Sequence, residues 1–193
     1  MGIAASLRRA RENAGVSLRT AARSSGVGAG NLSAIERGLR DPTTATATKI
    51  ADALGVRFIP VHTAGRLSAA DAVDEIAAAE ASGDSPTAYR TFLQLANDLA
   101  AVSAVDRLLL SAEEPRRTAT RWDDAVAGLV EWRLDELKVP LPTWTRVRQG
   151  NIGEPWEPRR TSFELPLGSR SNRVPEQLRR RGVLIEEDEL ASV

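Results

Sequence analysis

The 193-residue sequence contains no cysteine and a single histidine, His62. Without cysteine there is no disulfide framework, no thiolate nucleophile and no cysteine-ligated zinc or iron–sulfur site. One histidine excludes histidine-rich metal sites and leaves little for general-base catalysis at neutral pH. No metal site and no cofactor are expected. No uncharged run approaches the roughly 18–20 residues that span a bilayer, so no membrane partner is expected. Met1–Leu7 lacks a basic region followed by an apolar stretch, so no signal peptide is read and a cytoplasmic protein is the expectation. Catalytic carboxylates are also missing as a constellation. Asp123/Asp124 and Asp135/Glu136 are sequence neighbours, and adjacent helical residues do not face each other. A hydroxyl nucleophile would need His62, which follows Pro60 in what reads as a linker. No reaction class emerges, and the chain is read as not an enzyme.

What is present is enough apolar residue, 42%, to bury a core in one or two domains. The formal net charge of zero hides an asymmetry. Residues 1–60 carry nine Lys/Arg against four Asp/Glu, residues 61–115 three against nine, and residues 116–193 fourteen against thirteen. A basic head on an acidic middle suggests a nucleic-acid-binding domain joined to a chain that does something else. The alternative is charge clustered by chance on solvated faces.

In residues 1–60 apolar positions recur at helical spacing, interrupted about every ten residues by turn signals. Ala5 to Asn13 predicts a first helix with Leu7 inward, ended at Ala14-Gly15. Ser17 reads as the N-cap of a second helix to about Ser24, burying Leu18, Ala21 and Ala22. Gly26 supplies a sharp reversal, and Val27 plugs the corner between two helices. A third helix runs from about Ala29 to Arg37 with Leu32 and Ile35 on its inner face, stopped by Gly38. Asp41-Pro42-Thr43 punctuates again, and Thr43 caps a fourth helix ending near Leu54-Gly55, with Ala47, Ile50, Ala51 and Leu54 inward.

Ser17, Ala21-Ala22, Gly26-Val27, Leu32-Ser33, Ile35-Glu36-Arg37-Gly38, Asp41-Pro42-Thr43 and Ile50 to Val56 together resemble the Cro/C1-type helix-turn-helix (XRE) family. The resemblance covers roughly residues 4–60 and implies double-stranded DNA as partner. In that family the second helix of the motif lies in the major groove while its predecessor crosses the backbone. Here the recognition helix would be about Gly28 to Arg37, with base-reading positions on Ala29, Gly30, Asn31 and Ser33. These depart from the family's usual Gln, Arg or Lys; of the set only Asn31 could pair an adenine in bidentate fashion. Leu18 also stands where the family often carries a phosphate-contacting Gln. Two readings stay open. Base readout is sparse and helped by close approach of a small-residue helix, or the domain keeps the scaffold and has lost DNA. The arginines favour the first. The expected DNA-binding set is Arg8, Ser17, Arg19, Arg23, Gly28, Ala29, Gly30, Asn31, Ser33, Arg37 and Arg40, with Arg9 and Arg11 adding to the charge, and Glu36 a structural partner inside the motif. Gly26 to Gly30 is not a phosphate loop, because it follows a helix and no Gly-Lys-Ser/Thr follows it.

Further on, Ser68 with Asp71 forms a capping box for a helix over about 69–81, with Ala72, Val73, Ile76 and Ala79 on one side. Ser82 to Pro86 breaks it. A single long helix is predicted over about 87–110, with an interruption near Ser103 as the alternative, and with Tyr89, Phe92, Leu95, Leu99, Val105 and Leu109 among its apolar positions. Another spans 118–138, with Thr120 as cap and Asp123 three residues on. From Val139 six prolines fall in 36 residues, too many for a long helix. Trp144, Trp156 and Phe163 sit there as aromatic anchors, onto the chain's own helices or onto a partner protein. Leu178 to Ile185 reads as a short basic helix, a Gly stop and an apolar segment. Residues 120–186 resemble, more loosely, the C-terminal regions of XRE-type regulators that lie beside nucleotidyltransferase-like toxins. That resemblance implies an antitoxin that binds its toxin through Trp144, Trp156, Phe163, Arg179, Arg180 and Arg181 and represses its own promoter.

The expectation is thus a mainly α protein. A helix-turn-helix domain at 1–60 precedes a helical domain at 61–138 and a proline-rich, irregular tail at 139–193. Its function would be that of a DNA-binding repressor, with a second copy of the chain as a candidate partner in a homodimer. Alternatives are a phage-type or stand-alone repressor without a toxin, and a protein-binding adaptor whose helix-turn-helix no longer touches DNA.

Overall fold

The structure, a computed structural model, describes residues 2–147, 155–158 and 173–191. It is mostly helical, and the chain divides into two compact units, Met1–Val61 and His62–Val193.

The first unit holds α1 (Ile3–Asn13), α2 (Leu18–Ser25), α3 (Ala29–Glu36) and α4 (Thr44–Ala53). Local chemistry sets each boundary. The Ser17 hydroxyl accepts from the Thr20 amide at 3.1 Å, and that of Thr43 from the Thr46 amide at 3.2 Å. Each supplies an acceptor to an otherwise orphaned donor of a first helical turn, worth about 1 kcal/mol. Gly26 ends α2 at φ 68°, a left-handed conformation that costs glycine no Cβ clash. The helices then close on one core of Leu7, Ala21, Ala22, Val27, Leu32, Ile35, Ala47, Ile50 and Ala51. The larger of these side chains each contribute roughly 2 kcal/mol by leaving water. Leu54, expected inside, is only partly buried at the rim.

The second unit comprises α5 (Ala69–Ala81), α6 (Ser85–Ala100), α7 (Ala104–Ala112), α8 (Arg121–Glu136), α9 (Thr143–Val147), α10 (Glu176–Arg179) and α11 (Glu187–Ala191). Helix α8 is the hub: α5, α6, α7, α9 and α10 all pack against it. Ser68 caps α5 as the capping box predicts, through the Asp71 amide at 3.1 Å.

Two helical expectations need correction. The predicted helix over 87–110 is broken at 101–103, where Ser103 caps α7 through the Asp106 amide. The break resets the helical phase, so Val105 and Leu109, expected inside, are 67% and 37% exposed. At α8 the Thr120 side chain makes no cap. Asp123 instead accepts from the Thr118 and Ala119 amides, tying down the incoming turn, where Ala119 takes a φ of 58°.

Described residues after Val139 belong to the same unit as the helices before them. Trp144, Val174, Leu178, Val183, Ile185 and Leu190 join the core built by α5, α6 and α8. Trp156 and Val183 form a parallel β-bridge, with Trp156 N–H donating to the Gly182 carbonyl and Leu184 N–H to that of Trp156, both at 2.8 Å. Helix α10 approaches α8 at Gly128, where a Cβ would sit 2.8 Å from Leu178 Cδ2 and 2.9 Å from the Gln177 carbonyl. The absence of a side chain lets the two backbones meet.

Candidate nucleic-acid interface

Helices α2 and α3 pack on one another through Ala21, Ala22, Val27, Leu32 and Ile35. Everything on their outer surface is therefore left to solvent or to a partner. Arg19 and Arg23, four residues apart, share a face of α2 and are exposed. Arg37 closes α3, its Nε donating to the Ser33 carbonyl at 3.3 Å, and Arg40 lies in the turn beyond. Among the described residues none of these four guanidiniums meets a carboxylate. Leu39 between them is 70% exposed.

The other arginines of the unit have different duties. Arg11 forms a bidentate pair with Glu36, Nε to Oε1 and Nη2 to Oε2, both at 2.7 Å, and its Nη1 donates to the Val16 carbonyl at 3.1 Å. The pair ties α1 to α3, and the hydrogen bonds to Glu36 raise the Arg11 pKa above its ordinary value. Glu36 is thus the structural partner that its place in the motif suggests. Arg9 is buried, with Nη2 on Ser6 Oγ at 3.2 Å. Arg8, expected at DNA, pairs with Glu12 at 2.8 Å one turn on. That pair is exposed, of a type worth about 0–1 kcal/mol, so a phosphate can displace it. The acceptor role of the Ser17 hydroxyl is taken by its own helix.

Helix α3 presents the N-cap Gly28 and then Ala29 and Gly30 as exposed positions, with Asn31 and Ser33 half-buried beside them. Gly30 stands in regular right-handed helix, and nothing lies within 4 Å of where its Cβ would be. Neither backbone strain nor internal packing calls for glycine there, yet it costs about 1 kcal/mol relative to alanine in mid-helix. The Asn31 Oδ1 is buried, and among the described residues it meets no hydrogen-bond donor. The face is bare of side-chain bulk, close to the helix axis, and flanked by unpaired cations.

The residues expected to bind a protein partner fare differently. Trp144 is 4% exposed, with its indole N–H on the Ser111 carbonyl at 2.9 Å. Arg181 is 3% exposed and donates to the Thr145 carbonyl at 2.7 Å and the Gln177 carbonyl at 3.0 Å, beside Glu131 at 2.8 Å. Burial depresses its pKa. Both are interior groups, which corrects their reading as anchors for another protein. Trp156 is half-buried against Trp122, Arg180 pairs with Glu131, and exposed Arg179 pairs with Glu176. Phe163 lies outside the described residues. The carboxylate pairs are likewise engaged: Asp124 beside Arg121, Asp135 with Lys138, and Glu136 with Arg107 and Arg133. No helix among the described residues is long and apolar enough to cross a membrane.

Residues 7–59 match the family model described as Helix-turn-helix, the span of α1 to α4 with the turn beyond. The first unit is a helix-turn-helix domain of the kind that DNA-binding transcription regulators carry. No curated protein and no solved structure matches the chain.

Proposed function

We propose that the protein is a repressor that binds duplex DNA by laying α3 in the major groove. Arg19, Arg23, Arg37 and Arg40 would contact phosphates, and Asn31 and Ser33 would read base edges. The observation that carries this reading is the set of four guanidiniums that meet no carboxylate among the described residues, around a helix face trimmed to Gly28, Ala29 and Gly30. Phosphate contacts supply most of the affinity and fix the register, while base contacts specify. A short-side-chain face lets the α3 backbone sit deeper in the groove, which offsets the propensity lost at Gly30. Asn31 is then the residue suited to an adenine edge once its side chain turns outward, since its buried Oδ1 gives up no partner among the described residues. Readout from so few side chains leans on DNA shape and on a second copy. Two copies would place their α3 helices about 34 Å apart and require a palindromic operator.

The antitoxin role rests on the looser C-terminal resemblance alone. With Trp144 and Arg181 interior, a toxin would have to be held by exposed groups such as Arg179, and co-expression with the product of an adjacent gene tests it.

The DNA reading is tested by a mobility shift of the full chain with the DNA upstream of its own gene at low salt. A discrete complex lost on Arg19→Glu and Arg37→Glu is expected. An adaptor that had abandoned DNA would give no complex, or one indifferent to both reversals.

A further inference from the structure

The second unit contains an open cavity of about 410 Å³ where the end of α5, the start of α6 and the start of α8 meet the short segment 155–158. Its walls include the aromatic rings of Tyr89, Trp122 and Trp156 and the carboxylates of Glu80 and Glu157, with Pro86 at the edge. Trp122 and Trp156 stand edge to face, with ring centroids 5.0 Å apart and planes at 90°. Glu80 Oε1 accepts from the Trp122 indole N–H at 3.1 Å, which holds the carboxylate against the ring. Tyr89 donates its hydroxyl to Glu189 at 2.8 Å, bringing a third carboxylate close to the same wall.

Charge balance distinguishes this cavity. Among the described residues neither Glu80 nor Glu157 has a cationic partner, whereas Glu131 and Glu136 of the same unit are each paired with arginine. Among the described residues a guanidinium does lie close by: that of Arg121 sits over one side of the Trp156 ring, 5.8 Å from its centroid. Its Nη2 donates to the Gly182 and Arg181 carbonyls, and its Nε lies 3.8 Å from Asp124. The N-terminal end of α6, which would repel a cation, is capped by the Asp84 carboxylate on the Thr87 amide at 3.1 Å. Aromatic walls that attract cations, with two carboxylates that lack a counter-charge among the described residues, disfavour an anion and suit a cation better than a neutral ligand. A bare metal ion would find carboxylates only, and no group of three metal-ligating side chains occurs among the described residues.

We propose that this cavity is a binding site for a small organic cation, an alkylammonium or guanidinium compound. The ligand's charge sits against the half-buried Trp156 ring, beside the edge of Trp122, and is balanced by Glu80 and Glu157. The volume lies within the range of about 300–1,000 Å³ usual for small-ligand sites. The site is independent of the DNA reading, since it uses residues of the second unit alone.

The test is calorimetric titration of the full chain with choline and with agmatine, followed in parallel by tryptophan emission. 3,3-Dimethylbutan-1-ol serves as the neutral isostere of choline. Saturable binding of at least one cation is expected, with a change in tryptophan emission. For choline, the isostere should bind about ten-fold more weakly. Glu157→Gln, at a half-buried position without a partner among the described residues, should weaken the cation that binds by about five- to ten-fold and leave melting unchanged. Trp156→Leu should abolish binding; if that variant does not fold, Glu157→Gln carries the decision. No saturation by about 10 mM of either cation, binding of choline no tighter than that of its isostere, or affinity indifferent to Glu157→Gln would each overturn the proposal.

Discussion

Arg19 in the first unit and Arg133 in the second carry the same guanidinium in opposite circumstances. Arg19 stands in water on α2 and meets no carboxylate among the described residues. Arg133 is buried, donating to the Ala96 carbonyl at 3.2 Å, the Leu190 carbonyl at 3.1 Å and Glu136 at 2.9 Å. Burial lowers its pKa, partly offset by Glu136. Arg107 and Arg181 behave like Arg133, each donating to carbonyls at the ends of helices or turns. The second unit uses arginine as an internal staple, satisfying carbonyls that would otherwise lie unpaired in the interior. The first unit holds Arg9 and Arg11 inward, Arg11 paired with Glu36, and leaves Arg19, Arg23, Arg37 and Arg40 outward. Arginine content alone therefore does not identify a polyanion-binding surface. The fate of each guanidinium does.

Substitutions can break this contrast. The largest stability effect should come from Arg133→Ala, which strands two buried carbonyls and leaves Glu136 to Arg107 alone. We expect about 3–5 kcal/mol lost from the second unit, read by chemical denaturation. Arg19→Glu with Arg37→Glu should do the reverse. DNA affinity should fall by about 100-fold or more at low salt, while stability stays within about 0.5 kcal/mol of the parent. Glu36→Ala lies between the two classes, because it strands Arg11, and about 2–4 kcal/mol of first-unit stability should go. In Gly128→Ala the new methyl meets Leu178 and the Gln177 carbonyl, which should cost about 1–3 kcal/mol and loosen α10 from α8. The smallest effect is the most diagnostic. Gly30→Ala should raise stability by about 0.5–1 kcal/mol, since nothing surrounds its Cβ, and yet weaken DNA binding by intruding on the approach. A variant that gains stability and keeps full affinity would remove the close-approach argument.

How much of this was legible in the sequence depended on how local the cause was. Ser17, Gly26, Gly38, Thr43 and Ser68 act on their own or the next turn, and the structure has each where its chemistry points. The break before α7 was obscured by Ala101 and Val102, which suit a helix. The signal was Ser103 with Asp106 three residues on, a capping box inside an apparently continuous stripe. The tail was least legible, because the Trp156–Val183 bridge and the Gly128 contact join residues far apart in the chain. For the site, the sequence placed Arg19, Arg23, Arg37 and Arg40 among eleven candidates. The structure separates them from Arg8, which pairs with Glu12, while Ser17 is occupied with its own helix, as its reading as an N-cap already implied.

The most direct test of the central claim, that free guanidiniums of the first unit hold DNA by its phosphates, is the salt dependence of binding. If four arginines each neutralise a phosphate, log affinity should fall against log salt with a slope near about −3.6 per bound chain. Each Arg→Ala change among Arg19, Arg23, Arg37 and Arg40 should flatten it by about 0.9. A slope near zero, or one that stays the same when these arginines are removed singly, would contradict the account.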